Sequence, residues 1–170
     1  LVCAALHLRQ VLGDALMLAL PSDHLLQDVD EFIDAVRIAS QAAREGWLMT
    51  FGIRPDTPET GYGYLRAGKA LDERVIRLSA FIEKPDRQNA ENFLASGQYF
   101  WNSGMFAWRV DYLWEQFQKH MPQTANAFEA AGDLDPRKTS FSTKLKRIYS
   151  SIPDISIDYG ILEKAARIRM

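Results

Sequence analysis

The chain has 170 residues, 47% hydrophobic and 25% charged, with 20 Lys and Arg against 22 Asp and Glu for a formal net charge of −2. That length supports one core of ordinary size, and so a single domain, or most of one, over residues 1–170. Charges this balanced lack the cationic excess that phosphate neutralisation demands, which excludes nucleic acid as an expected partner; the cluster Arg137, Lys138, Lys144, Lys146 and Arg147 reads as a solvated helix face.

Leu1, Ala5, Leu8 and Leu12 recur on one face of a helix that opens without a capping residue. The segment LVCAAL has no basic flank and is interrupted by His7 and Arg9, so neither a signal peptide nor a membrane span is expected. Cys3 is the single cysteine, and His7, His24 and His120 are scattered, which leaves no internal disulfide and no soft-metal cluster. The protein reads as soluble and cytoplasmic, with no membrane partner.

Ala15 to Leu20, ALMLAL, is a continuous apolar run of strand length closed by Pro21, as in a strand buried on both faces of a parallel sheet. Asp28 and Glu31 have capping-box spacing, and Phe32, Ile33, Val36, Ala39 and Ala43 continue a helix up to Gly46. WLMTFGI, Trp47 to Ile53, is a second strand, which completes a βαβ unit with a right-handed crossover. The segment Phe51–Gly68, FGIRPDTPETGYGYLRAG, reads as a stiff, aromatic, glycine-punctuated loop. VIRLSAFIEKP gives a third strand closed by Pro85. A short helix from Gln88 to Ser96 follows, then a strand YFWNSGMFAWRV broken at Asn102–Gly104. Helices are expected over Asp111–His120, Pro122–Ala131 and Ser142–Tyr149. ILEKAARIRM stops without a C-cap glycine, so both ends read as cut and the chain as an internal fragment.

In an open α/β sheet, ligands bind beyond the carboxyl ends of strands. That rule selects Pro-Ser-Asp-His at 21–24, the loop after Ile53, Glu83-Lys84-Pro85 and Asn102-Ser103-Gly104, with Asp158 as a further candidate. Asp23 either caps the following turn or offers a carboxylate to a hard cation such as Mg²⁺. Glu83 and Lys84 are adjacent, so on a regular strand end they point to opposite faces; Pro85 biases Lys84 to an extended backbone. A solvated ion pair and a site for sugar hydroxyls and phosphate are both open to them. Asn102, Ser103 and Gly104 form a polar island in an apolar strand, either a β-bulge or a ligand contact. Gly61 and Gly63 bring bare amides beside aromatic rings, but Arg66 stands where a phosphate fingerprint needs its third glycine. Asp158 stands at the start of a helical run, where an acid is favourable with no other role.

Taken together and in order, LPSDH, FGIRPDTPETGYGYL, FIEKPD, YFWNSGMFAWR and SIDYGILEK resemble the mannose-1-phosphate guanylyltransferases, specifically the long bacterial type that often carries an isomerase module. The resemblance covers about Ala4 to Lys164, with Ala125–Ile152 nondescript. It implies an α/β, Rossmann-like fold with a mixed, mainly parallel sheet flanked by helices. It also implies formation of GDP-mannose and pyrophosphate from GTP and mannose 1-phosphate. Asp23 matches that family's Mg²⁺ ligand. Gly63, Glu83 and Asn102 match positions that hold the sugar, Lys84 matches the lysine facing the phosphates, and Asp158 supports the same pocket. Gly61, Ser103 and Gly104 belong to the same motifs. The family's Gly-Gly-x-Gly-x-Arg loop, which cradles the nucleotide, has no counterpart here. The 170 residues are therefore expected to hold the sugar-phosphate half of the site and not to turn over alone. A transferase for another sugar 1-phosphate, or a non-catalytic sugar-phosphate-binding module, are the competing expectations. Self-association through an exposed sheet edge is expected as well.

Overall fold

The computed structural model describes residues 1–170. In chain order its elements are α1 (Val2–Leu12), β1 (Leu16–Ala19), α2 (Val29–Arg44), β2 (Leu48–Ile53), β3 (Tyr64–Ala70), β4 (Ile76–Ile82), α3 (Arg87–Ser96), β5 (Tyr99–Arg109), α4 (Val110–His120), α5 (Pro122–Ala130), α6 (Phe141–Tyr149), a π-helical turn (Asp158–Leu162) and β6 (Ile168–Arg169). No helix is long and apolar enough to cross a membrane.

Local chemistry accounts for the helix ends. The Asp28 carboxylate accepts the Glu31 N–H at 2.9 Å and caps α2. The reciprocal half of the expected capping box does not form, because the Glu31 carboxylate pairs with Arg74 at 2.6 Å. Gly46 follows with φ +82°, the left-handed residue that ends the helix.

The strands form one mixed sheet in the order β1-β5-β2-β6-β4-β3, with a further pairing of β5 to β3. The expectation of a mixed sheet flanked by helices holds; that of a mainly parallel one does not. Only β2 and β6 pair in parallel, and the β1–β5, β2–β5, β3–β4, β3–β5 and β4–β6 ladders are antiparallel. The reason is β5. It lies antiparallel between β1 and β2, which run parallel to each other but do not touch as neighbours. The expected βαβ unit is thus split by a strand that arrives much later in the chain. β1 ends the sheet order, and of its residues only Met17 is buried, while Leu18 is 39% exposed. Burial on both faces, read from ALMLAL, is not realised.

β3 is a strand where the sequence reads as loop. The aromatic loop ends at Gly63, and Tyr64–Ala70 pairs with β4 on one edge and, through Tyr64, Leu65 and Arg66, with β5 on the other. β5 is also continuous where a break is expected. Thr50 pairs with Phe106 and Gly52 with Asn102, so Phe51 alone stands opposite Ser103, Gly104 and Met105. These residues form a bulge, and Gly104 absorbs it with φ +71°.

Side chains alternate along β5 and divide the core in two. Phe106 and Trp108 enter the larger cluster with residues of α1, α4, α5 and α6, including Leu6, Phe117, Phe128 and Ile148. Ala107 faces the other way, against Ala39, Ala42 and Ala43 of α2. Alanines at that interface let α2 lie close to the sheet.

Candidate functional site

Five segments converge where β5 begins to bulge. β2 contributes Thr50, the loop before β3 contributes Gly63, the end of β4 delivers Glu83 and Lys84, β5 carries Asn102, and the π-helical turn opens on Asp158. The Asn102 N–H donates to the Gly63 carbonyl at 2.7 Å. The Asn102 side-chain oxygen accepts the Thr50 hydroxyl at 2.9 Å and the Gly104 N–H at 3.4 Å, while its Nδ2 donates to Asp158 Oδ1 at 3.3 Å. Gly63 is buried against this group. A Cβ there would lie 2.6 Å from Glu83 Oε2, 3.2 Å from Phe81 Cζ and 3.4 Å from Asn102 Cβ. Only a glycine permits the carboxylate, the amide and the loop backbone to meet.

Lys84 resolves the facing problem that adjacent strand residues pose. Its φ is +46°, the single non-glycine residue in the left-handed region. The extended backbone expected before Pro85 is therefore corrected: the chain turns at Lys84, at a cost of about 1–3 kcal/mol for such a conformation. The turn brings Lys84 Nζ to 3.8 Å from Glu83 Oε1, with the lysine side chain 60% exposed and the glutamate only 12%.

Two carboxylates share this half-buried place. Burial raises the Glu83 pKa, the nearby Asp158 charge raises it further, and Lys84 opposes both. Burial also raises the Asp158 pKa, against hydrogen bonds from its own backbone and from Ser156, the Lys84 charge and the bond from Asn102. A carboxyl with a raised folded-state pKa adds stability that is full below its unfolded pKa and is lost as pH rises through the folded one. Glu83→Gln is accordingly expected to raise the thermal midpoint at pH 7, with the gain vanishing as pH falls below the ordinary carboxylate range. Thermal melts of both chains between pH 3.5 and 7.5 check it, and an unchanged midpoint at pH 7 would count against the buried acid pair.

The other expected residues are placed differently. Ser103 is buried inside the bulge, where its Oγ accepts the Met105 N–H at 3.2 Å. Gly104 abuts the loop after β1, since a Cβ on it would lie 3.5 Å from Pro21 Cγ. Gly61 is exposed, with nothing within 4 Å of its Cβ direction. Asp23 is exposed and belongs to no group of three or more His, Cys, Asp or Glu side chains placed to hold a metal. As a lone carboxylate it suits a hard cation that takes its remaining ligands from phosphate and water, the way Mg²⁺ is commonly held.

Thr50 is a site residue that the sequence motifs do not single out, although a single hydroxyl residue in the apolar run WLMTFGI is itself a signal. Glu163, whose charge also bears on Glu83, lies in the SIDYGILEK motif but is not singled out within it. Tyr62 stands edge-on to Trp101 with ring centroids 5.3 Å apart, flanking Gly63. An apolar cavity of about 490 Å³, lined by Leu1, Phe117, Met121, Tyr149 and Ile155 among others, shares no residue with the acid–amide cluster.

A carboxylate, a carboxamide and an ammonium group gathered at the end of β4 and beside the bulge of β5 are the groups that a polar ligand on an α/β domain would need. The chain belongs to the nucleotidyl transferase family, whose model matches residues 2–146. It is 44% identical over 163 residues to the xanthan biosynthesis protein XanB of Xanthomonas campestris, a match that takes in 96% of this chain and 34% of that protein. It is 42% identical to a mannose-1-phosphate guanylyltransferase of Klebsiella pneumoniae, over 96% of this chain and 35% of that one. A crystal structure from Thermus thermophilus, described as a mannose-1-phosphate geranyltransferase, superposes with a TM-score of 0.84 at 35% identity over 99% of this chain and 47% of that chain. The chain thus spans about a third of the length of the curated relatives it matches, 34% and 35% for these two.

Proposed function

We propose that this chain carries the sugar-phosphate half of a mannose-1-phosphate guanylyltransferase site. The activity served is formation of GDP-mannose and pyrophosphate from GTP and mannose 1-phosphate. One observation carries the reading: Gly63, Glu83, Asn102 and Asp158 meet around a single point, with Lys84 beside them. Glu83 and Asp158 are acceptors for sugar hydroxyls, Asn102 supplies an amide donor, and the exposed Lys84 ammonium, paired only loosely with Glu83 at 3.8 Å, is placed to neutralise phosphate. The names of the relatives support the choice of mannose and a role in polysaccharide biosynthesis.

In such a transfer a phosphate oxygen attacks the α-phosphorus of the nucleotide and pyrophosphate leaves. The protein's part is to hold nucleophile and leaving group in line and to neutralise charge. Asp23 is the residue that would hold a divalent cation, Mg²⁺ in our reading, and the cation would supply charge neutralisation at the phosphates. Residues 1–170 hold no Gly-Gly-x-Gly-x-Arg loop, and turnover is assigned to a protein that has one.

Calorimetric titration of the chain with mannose 1-phosphate tests this. Binding is expected, with Asn102→Ala weakening it about 10-fold, the worth of one net hydrogen bond. A pyrophosphate-release assay with GTP and mannose 1-phosphate should show no turnover. Affinity for mannose 1-phosphate no better than for inorganic phosphate would overturn the sugar assignment, and clear turnover would overturn the division into halves.

A further inference from the structure

Asn102 can recognise a ligand only if its carboxamide is held one way, and the shortest contact that holds it comes from a residue outside the expected site. We propose that Thr50 is a positioning residue that anchors the Asn102 amide in the orientation in which its oxygen is turned inward and its nitrogen toward Asp158. The inference deepens the sugar-phosphate reading and rests on it for its ligand.

Thr50 lies in β2, is 2% exposed and is the one hydroxyl residue of that strand. A buried hydroxyl needs a partner, and Thr50 Oγ1 has two acceptors in reach, Asn102 Oδ1 at 2.9 Å and the Met105 carbonyl at 3.3 Å. Both belong to β5, Asn102 just before its bulge and Met105 at the bulge's end. The hydroxyl has one proton, and the shorter contact is to the amide.

The remaining contacts fix which end of the amide is which. The Gly104 N–H, 3.4 Å from Asn102 Oδ1, can only donate, so it selects oxygen. The Asp158 carboxylate, 3.3 Å from Nδ2, can only accept when ionised, so it selects nitrogen. A flipped amide would set donor against donor at Gly104 and acceptor against acceptor at Asp158. These two bonds are long, however, and the Thr50 bond is the shortest of the three. Without it the amide keeps its preference but loses its firm anchor, and the second Nδ2 proton, which has no protein partner, no longer points in a fixed direction.

The bulge sets the reach of the anchor from β2. Phe51 alone faces Ser103–Met105, so the ladder between Thr50 and Gly52 skips three residues of β5. Gly52 still pairs with Asn102, and across the bulge the Thr50 side chain adds a bond to the Asn102 amide that backbone pairing does not supply.

The experiment uses the 170-residue chain as Thr50→Val, Thr50→Ala and Thr50→Ser. Two readouts are taken: the Asn102 side-chain NH₂ resonances in a ¹H–¹⁵N spectrum, and the affinity for mannose 1-phosphate by titration. Thr50→Val keeps the shape and removes the hydroxyl. It is expected to shift and broaden the Asn102 pair and to weaken binding about 10-fold, the worth of one hydrogen bond. Thr50→Ala carries the same expectation should the valine chain not fold. Thr50→Ser restores the hydroxyl and should return the resonances, with affinity within about 3-fold of the parent, since its loss is one methyl group. An unmoved Asn102 pair in the valine or alanine chain would overturn the proposal, as would a serine chain impaired as much as the others. Failure of the parent to bind mannose 1-phosphate would count against the functional reading instead, and the resonance test of Thr50 would still decide its own question.

Discussion

Gly63→Ala is expected to abolish mannose 1-phosphate binding, by roughly 100-fold or more, while leaving the fold nearly as stable as before. Gly63 does not have a positive φ, so alanine suits the backbone and the conflict is one of space alone. The new methyl would sit 2.6 Å from Glu83 Oε2. That atom is the far end of a flexible side chain, and swinging it away, with the Phe81 ring at 3.2 Å giving slightly, costs little in stability. It costs recognition, because a charged acceptor leaves the pocket and the Glu83–Lys84 pairing is reset; losing one or two hydrogen bonds to a charged group, at about 1.5–3 kcal/mol each, gives the stated factor. Gly61→Ala is the matched control. Nothing lies within 4 Å of its Cβ direction, so affinity should be unchanged. Parallel titrations and thermal melts of the two variants check the pair. A Gly63→Ala chain binding like the parent would remove Glu83 from the site.

Trp108→Ala should have the largest effect on stability, about 3–5 kcal/mol for a buried aromatic truncated to alanine. Trp108 is fully buried at 0% exposure and stacks on Phe106 with centroids 5.3 Å apart. Its indole N–H has no acceptor, so packing alone is what the ring contributes. Against a total of about 5–15 kcal/mol for an ordinary domain, that loss leaves the chain marginal or unfolded at about 37 °C. Urea denaturation followed by fluorescence and circular dichroism measures it. A change below about 1 kcal/mol would mean that the core can collapse into the space.

What can be read from the sequence is local. The helices around Val29–Arg44, Arg87–Ser96 and Val110–His120 follow from apolar periodicity and caps, and they stand within a residue or two of expectation. Pairing between distant strands leaves no periodic trace, so the entry of β5 between β1 and β2 is invisible there, and a parallel unit is what its pieces suggest. β3 is hidden for a different reason. Gly61, Gly63 and two prolines mark Phe51–Gly68 as loop, and the strand starts one residue past the last of those signals, at Tyr64.

The candidate site divides in the same way. Glu83, Lys84, Asn102 and Gly63 each have a plain structural reading, and only the order of their motifs singles them out together. Their meeting is tertiary, set by the turn at Lys84 and the bulge at Gly104. Asp23 and Gly61 belong to equally good motifs, yet both lie exposed and outside this network of contacts. Thr50 can be found only by asking why a buried strand should carry a hydroxyl.

β5 packs Trp108 into the core, pairs with β1, β2 and β3, and displays Asn102 within the same eleven residues. One residue of the recognition cluster therefore sits on the strand that also carries the core, while Gly63, Glu83, Lys84 and Asp158 reach it from loops and turns. A core change near Phe106 that shifts the strand would carry Asn102 with it, whereas a loop change acts on the other groups alone. Drift in this region should be slow, and changes of substrate should enter through neighbours that reach the pocket from outside the strand.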